Sequence, residues 1–425
     1  MILRRILTIT LIAGLLAAVA LSAFFRGGVD RLLWVPVAAL ISGLVALTVV
    51  AHNHDHLPRH LNLRVALPLV GFLTWVTLSY PGSICQESTF FELFRLYAVG
   101  AVFFLVTIPF ENRWEKWALA LGVFLLGAAE AVFGLTEYAS GQQLLAFSFL
   151  PAPPFQRVTG TFGNPNHFAA FLNMSFFLGL ALVSAVRGVN MPVEERWAQK
   201  AIFALPLGII LVALVLTLSR GGWVSFAAGI MVWLWQLWRH RRPGLSRIPL
   251  VAALALAVSL VFIARLDLSF LEQRLETFGE IYERPEELTG DGRLAIWKST
   301  IKMIADRPLF GTGWGTYRWA FPAYRQDNLF FGVQFAHNDY LQIAAEAGIP
   351  ALLFFLVFVG SVFREGFRVI RRRPEDSGAR AAMAVGSGMF AVLLHEFVDF
   401  GLMVPANLMV FFLMAAVLVC VEDGR

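Results

Sequence analysis

The chain has 425 residues, 58% of them hydrophobic and 15% charged, with a mean hydropathy of +0.68. That is more apolar surface than a soluble domain can hide, which excludes a soluble enzyme, a secreted disulfide scaffold and a disordered tail, and leaves a polytopic membrane protein. The formal charge of +5, from 34 basic and 29 acidic residues, then reports where loops lie about a bilayer and not a nucleic-acid partner.

A helix needs about 20 residues to cross roughly 30 Å of hydrocarbon. Twelve apolar runs meet that need: 6–25, 32–51, 65–80, 94–110, 117–138, 167–186, 201–219, 222–238, 248–264, 349–363, 381–398 and 401–420. The first is longer than the apolar stretch of a signal peptide and is read as a span. With Arg4 and Arg5 inside, short inner segments hold 20 basic residues and short outer ones five, Arg26, Arg31, Arg95, Arg157 and Arg220. The positive-inside bias therefore puts both termini in the cytoplasm and residues 265–348 outside. The chain divides into spans one to nine (1–264), an outer loop domain (265–348) and spans ten to twelve (349–425). Cys85 and Cys420 fall on opposite sides, too far apart to bridge within one chain.

Four segments carry candidate chemistry. Gly163-Asn164-Pro165 specifies a rigid turn into span six, with Asn166 available as a helix cap; it is either a plain helix entry or a substrate-shaping loop. Ser219-Arg220-Gly221-Gly222 forms a tight outer turn whose guanidinium either binds an anion or snorkels to lipid phosphate. In the outer loop, Asp291 can cap a helix running to Asp306, with Leu294, Trp297, Ile301 and Ile304 on one face, resting on lipid or on the bundle. Arg293, in its first turn, suits a phosphate site or a simple surface position.

After the Gly-rich turn Gly311–Gly315, a second helix is expected from about His337 through Glu346-Ala347-Gly348. A helix start disfavours added positive charge, so His337 there stays neutral and able to accept a proton, as a general base would; packing a loop is the other reading. Glu130, Glu137, Glu396 and Asp399 lie within or beside spans, where a carboxylate needs a partner or water. Glu396 or Asp399 could orient His337 or pair with an Arg. The cluster His52, His54, His56 and His60 is either a metal site or part of a basic loop touching anionic lipid, and the second reading is preferred.

In order along the chain, Gly160-Thr-Phe-Gly-Asn-Pro-Asn-His167, Ser219-Arg-Gly-Gly-Trp223, Gly292-Arg-Leu-Ala-Ile-Trp297, Arg307-Pro-Leu-Phe-Gly311 and His337-Asn-Asp-Tyr-Leu341 with Glu346-Ala-Gly348 resemble the O-antigen ligase and Wzy-type polymerase superfamily of bacterial inner-membrane glycosyltransferases. The resemblance covers about residues 155–365. It implies an all-α, GT-C-like fold and a periplasm-facing site that moves a glycan from undecaprenyl diphosphate to an acceptor, without metal or other cofactor. It gives His337 the base role and Arg220 and Arg293 the diphosphate-binding role, with Asn164, Asn166, Trp297, Asn338, Tyr340 and Glu396 as candidate substrate contacts. Lipid A-core is the acceptor if the chain is a ligase, which the His-Asn-x-Tyr-Leu spelling slightly favours. A second lipid-linked glycan is the acceptor if it polymerises O-antigen or exopolysaccharide. Twelve spans also fit a lipid-linked glycan transporter, against which stand the absence of repeated halves and the outer His and Arg residues.

Overall fold

A computed structural model describes residues 2–53, 61–141, 157–185, 195, 201–240, 292–325, 332–372 and 376–420. All regular structure among them is helical: α1 (Ile2–Phe24), α2 (Arg31–Asn53), α3 (Leu63–Leu78), α4 (Gln86–Thr107), α5 (Arg113–Ser140), α6 (Pro165–Ala185), α7 (Ala204–Leu216), α8 (Arg220–Arg239), α9 (Arg293–Asp306), α10 (Asp339–Ala347), α11 (Ile349–Arg372), α12 (Ser377–His395) and α13 (Pro405–Cys420), with short 3-10 turns between some of them. Seven of the described helices are long and apolar enough to cross a membrane, and α3, α7 and α13 are shorter apolar helices. The protein is a multi-pass membrane protein. Every expected span except the ninth (248–264) coincides with a described helix; that span, residues 265–291 and His54 to His60 lie outside the described residues.

The apolar pattern explains the layering. Helices α6 and α13 are buried along nearly their whole length, as helices hydrophobic all round must be when they are enclosed by others. Helices α5, α8 and α12 pack around α6, while α3 packs on α11 and α4 on α13. Helix α4 begins at Gln86, eight residues before the expected start, and so takes Arg95 into its interior at 7% exposure.

Two sets of polar contacts mark the two ends of the bundle. At one end Arg4 pairs with Glu111, Arg113 with Asp376 at 3.0 Å, and the Lys116 ammonium donates to the Cys420 carbonyl at 2.8 Å. At the other, the loop preceding α11 is pinned to the start of α4: Ile84 N–H donates to the Thr312 carbonyl at 3.0 Å and the Ser88 hydroxyl to the Gly315 carbonyl at 2.9 Å. The Trp75 indole donates to the Leu309 carbonyl at 3.0 Å and stacks on Phe310. Cys85 and Cys420, both free thiols, lie at these opposite ends.

The loop has its own small core of Ile296, Met303, Tyr317, Phe321, Ala336 and Ala345. The buried face of α9 is Ile296, Ser299, Thr300 and Met303. Of the expected apolar face, Leu294 and Ile301 are 38% and 56% exposed, while Trp297 and Ile304 pack partly against the loop core. The buried Thr300 hydroxyl meets Tyr317 Oη at 2.6 Å and the Ile296 carbonyl at 2.7 Å, so this polar atom is satisfied inside the loop core.

Candidate active site

Four pieces of chain meet at the loop-bearing end. The first is the entry to α6, where the Asn164 carbonyl accepts the Phe168 N–H and its side chain accepts the Asn166 N–H at 2.9 Å. Asn164 is therefore the cap. The cap expected at Asn166 is displaced because Pro165 takes the first helical position, where its missing N–H costs nothing. Asn166 instead accepts from Arg157 at 3.1 Å, and His167, 6% exposed, turns inward.

The second piece is the α7–α8 turn. Arg157 Nε donates to the Thr217 carbonyl at 2.7 Å, tying this turn to the α6 entry. The Ser219 hydroxyl caps α8 by accepting the Gly222 N–H at 3.2 Å, which makes Arg220 the first residue of the helix. Gly221 lies flat against His395: a Cβ there would stand 2.9 Å from the imidazole Cδ2.

The third piece carries His337, whose φ of +51° is a left-handed conformation rarely adopted by a residue with a side chain. Its neighbours hold it there. The Trp297 indole donates to the Ala336 carbonyl at 3.0 Å, and Ala336 N–H donates to Gln342 at 2.7 Å. Asn338 caps α10 by accepting the Leu341 N–H at 3.0 Å while its amide donates to the Phe397 carbonyl at 2.9 Å. The Tyr340 hydroxyl donates to the Leu393 carbonyl at 2.6 Å.

The fourth piece is the turn after α12, residues 396–402, and Phe400 is its hub. The rings of His167, His337 and Phe335 sit 4.5, 4.9 and 4.3 Å from the Phe400 ring centre. Beside it, Asp399 is 2% exposed, with the His167 and His395 imidazoles each 3.9 Å away, too long for a direct hydrogen bond but close enough for strong electrostatic contact. Burial pushes the Asp399 carboxyl up, yet His167, His395 and Arg293 together pull it below its ordinary value. An ionised carboxylate thus sits between two imidazoles, His167 and His395, within the influence of Arg293.

Glu396 and Asp339 form a second acidic pair, both fully buried and hydrogen-bonded to each other. Burial raises both carboxyls, and the charge and hydrogen bond of Asp339 raise Glu396 further, so a proton is retained between them. Glu396 also accepts the Gly401 N–H, and Asp339 the Leu402 N–H at 2.9 Å, which locks the 396–402 turn onto α10.

His337, Arg293 and the start of α8 at Arg220 therefore converge, although they are separated by up to 117 positions in the sequence numbering from 220 to 337. The polar atoms of Trp297, Asn338 and Tyr340 are engaged by backbone around His337. The grouping of His167 with His395 and Asp399 is not marked by any motif; the i,i+4 spacing of His395 and Asp399 is the signal the sequence offers for part of it. Among the described residues no group of three His, Cys, Asp or Glu side chains is placed to hold a metal ion.

Residues 205–356, which contain Arg220, Arg293 and His337, match the family model described as O-Antigen ligase. That segment is thus similar to an O-antigen ligase domain. Over 393 residues the chain is also 23% identical to the teichuronic acid biosynthesis protein TuaE of Bacillus subtilis (strain 168), an alignment covering 88% of this chain and 74% of that protein. The matched segment holds two of the four pieces, the α7–α8 turn and the His337 segment; the α6 entry and the 396–402 turn lie outside it and complete the cluster from flanking helices.

Proposed function

We propose that the protein transfers a glycan from undecaprenyl diphosphate to an acceptor hydroxyl at the periplasmic face of the inner membrane, with both termini cytoplasmic. The observation that carries this reading is the convergence of His337 and Arg293 with the start of α8 around Asp399, at the end of the bundle where a lipid diphosphate would lie.

His337 takes the proton from the attacking acceptor hydroxyl as the new glycosidic bond forms at the anomeric carbon. The bond from that carbon to the diphosphate oxygen breaks on the opposite side, giving inversion in a single displacement, and the lipid diphosphate leaves with both electrons. Arg220 and Arg293 neutralise the charge that grows on the leaving diphosphate. Asp399 stabilises positive charge arriving on the surrounding imidazoles. Asn164, Asn166, Trp297, Asn338, Tyr340 and Glu396 shape the site, and no metal takes part.

Lipid A-core is the first acceptor reading, for a ligase. A polymerase acting on a second lipid-linked glycan is the other, favoured by a relative whose name places it in teichuronic acid biosynthesis. The test is reconstitution in lipid vesicles with labelled glycan-linked undecaprenyl diphosphate and each acceptor in turn, with and without EDTA. Bond transfer to one acceptor, insensitive to EDTA, is expected, with His337→Ala and Arg220→Ala each losing at least 100-fold while remaining inserted. Movement of label into vesicles without bond transfer would contradict the reading and indicate a transporter.

A further inference from the structure

A cavity of ≈ 260 Å³ opens between the loop and the adjoining ends of α2, α4 and α13, and none of His337, Arg220 or Arg293 lines it. Its polar wall is Arg31, Arg95 and Arg318 with Glu92 and Glu346. The second carboxylate is committed elsewhere: Glu346 accepts the backbone N–H groups of Gly315 at 3.0 Å and Tyr317 at 2.8 Å and the Gln342 amide at 3.0 Å. Three guanidinium groups thus line the cavity against Glu92, with Asp30 close enough to act on Arg95.

Arg95 is the most telling of them. It lies inside α4 at 7% exposure, donating to the Gly28 carbonyl at 2.8 Å and to Glu92 at 3.1 Å, while its Nε–H has no partner among the described residues. Arg31 shares Glu92 at 3.8 Å and donates to the Ser88 hydroxyl at 2.7 Å. Excess buried positive charge in a membrane-spanning helix is costly unless an anion completes it. Aromatic faces flank the cations: Phe91 lies 5.0 Å from the Arg31 guanidinium and Trp34 5.6 Å from that of Arg95.

The cavity also adjoins the candidate active site. Phe335 lines it and stacks on Phe400 at 4.3 Å, the ring that His337 packs against on another side. Its volume lies just below the range of ligand pockets, roughly 300–1,000 Å³, which suits one sugar unit and not a chain.

We propose that this cavity is a second saccharide subsite that selects a sugar unit bearing an anionic substituent, a carboxylate or a phosphate, through Arg31, Arg95 and Arg318. It rests on the glycan-transfer reading for its purpose, but its binding can be measured without turnover. The full chain in phosphatidylcholine nanodiscs is titrated with glucuronate, glucose 6-phosphate and glucose, and binding is followed by saturation-transfer NMR. At least one anionic sugar is expected to bind five-fold or more tighter than glucose, and the stronger of the two names the group recognised. That preference is lost in Arg318→Gln, an exposed position, and in Arg31→Gln, and it is kept in His337→Ala. Equal binding of all three sugars, or a preference that survives both arginine variants, overturns the proposal. A parallel titration in nanodiscs containing phosphatidylglycerol separates the sources of anion: unchanged sugar binding is expected, whereas its abolition would make the cavity a lipid-headgroup site and overturn the proposal. Absence of glycan transfer with this binding intact would remove the transferase reading and leave the subsite standing.

Discussion

Glu346 shows how a single carboxyl can tie the fold to pH. It is 2% exposed, and burial pushes it from its ordinary 4.5 up to about 7, against the hydrogen bonds from Gly315, Tyr317 and Gln342 that favour its charged form. The unfolded chain releases this proton near 4.5 and the folded protein near 7, so the folded state binds more protons between those values. Stability therefore falls as pH climbs through that window, and the loss is complete above it, with a ceiling of about 3 kcal/mol. Asp339 and Glu396 act with the same sign. The unfolding midpoint in detergent should be higher at pH 5 than at pH 8, and Glu346→Gln should shrink that difference whatever its absolute stability; an unchanged difference would contradict this account of Glu346. At this scale His337, Arg220 and Arg293 were legible because each stands in a short motif at a helix start. The pairing of Asp339 with Glu396 was not, because it depends on a turn 57 positions away folding back onto α10.

At the scale of elements, α9 and α10 act as a clamp on the backbone around His337. Trp297 on α9 holds the Ala336 carbonyl, and Asn338 at the α10 cap bridges to Phe397. Loss of a cap costs about 1 kcal/mol. Asn338→Ala should therefore lower stability by about that amount and reduce kcat about ten-fold, while Asn338→Asp, which keeps the cap, recovers most of the stability. Trp297→Phe keeps the ring and loses the N–H, and it should lower kcat with KM little changed; a rise in KM alone would point instead to direct substrate contact. Helix positions were readable from apolar periodicity and stop signals, as with Arg307-Pro308 after α9. The inward face of α9 was not, since periodicity cannot reveal that Thr300 meets Tyr317 across the loop core.

Over the whole molecule, the bundle has one end stitched by charged pairs, Arg113 with Asp376 among them, and another carrying the loop and the imidazole cluster. The proposed topology, drawn from the excess of basic residues in the segments at the first end, puts that end in the cytoplasm. In a background lacking Cys85 and Cys420, a cysteine at Gly82 should react with an impermeant reagent from outside and one at Arg371 only after permeabilisation; the reverse pattern would invert the topology. Spans were legible because lipid demands long apolar helices, whereas the third-turn burial of Arg95 was hidden by an early start to α4 that hydropathy alone does not mark. The central claim is a division of labour, with two arginines for the diphosphate and one imidazole for the proton. Equilibrium binding of undecaprenyl diphosphate to the wild-type protein and to Arg220→Ala, Arg293→Ala and His337→Ala tests it most directly. The account predicts at least ten-fold weaker binding for each arginine variant and near wild-type binding for His337→Ala, itself inactive in transfer; arginine variants that bind the lipid diphosphate as tightly as the wild type would contradict it.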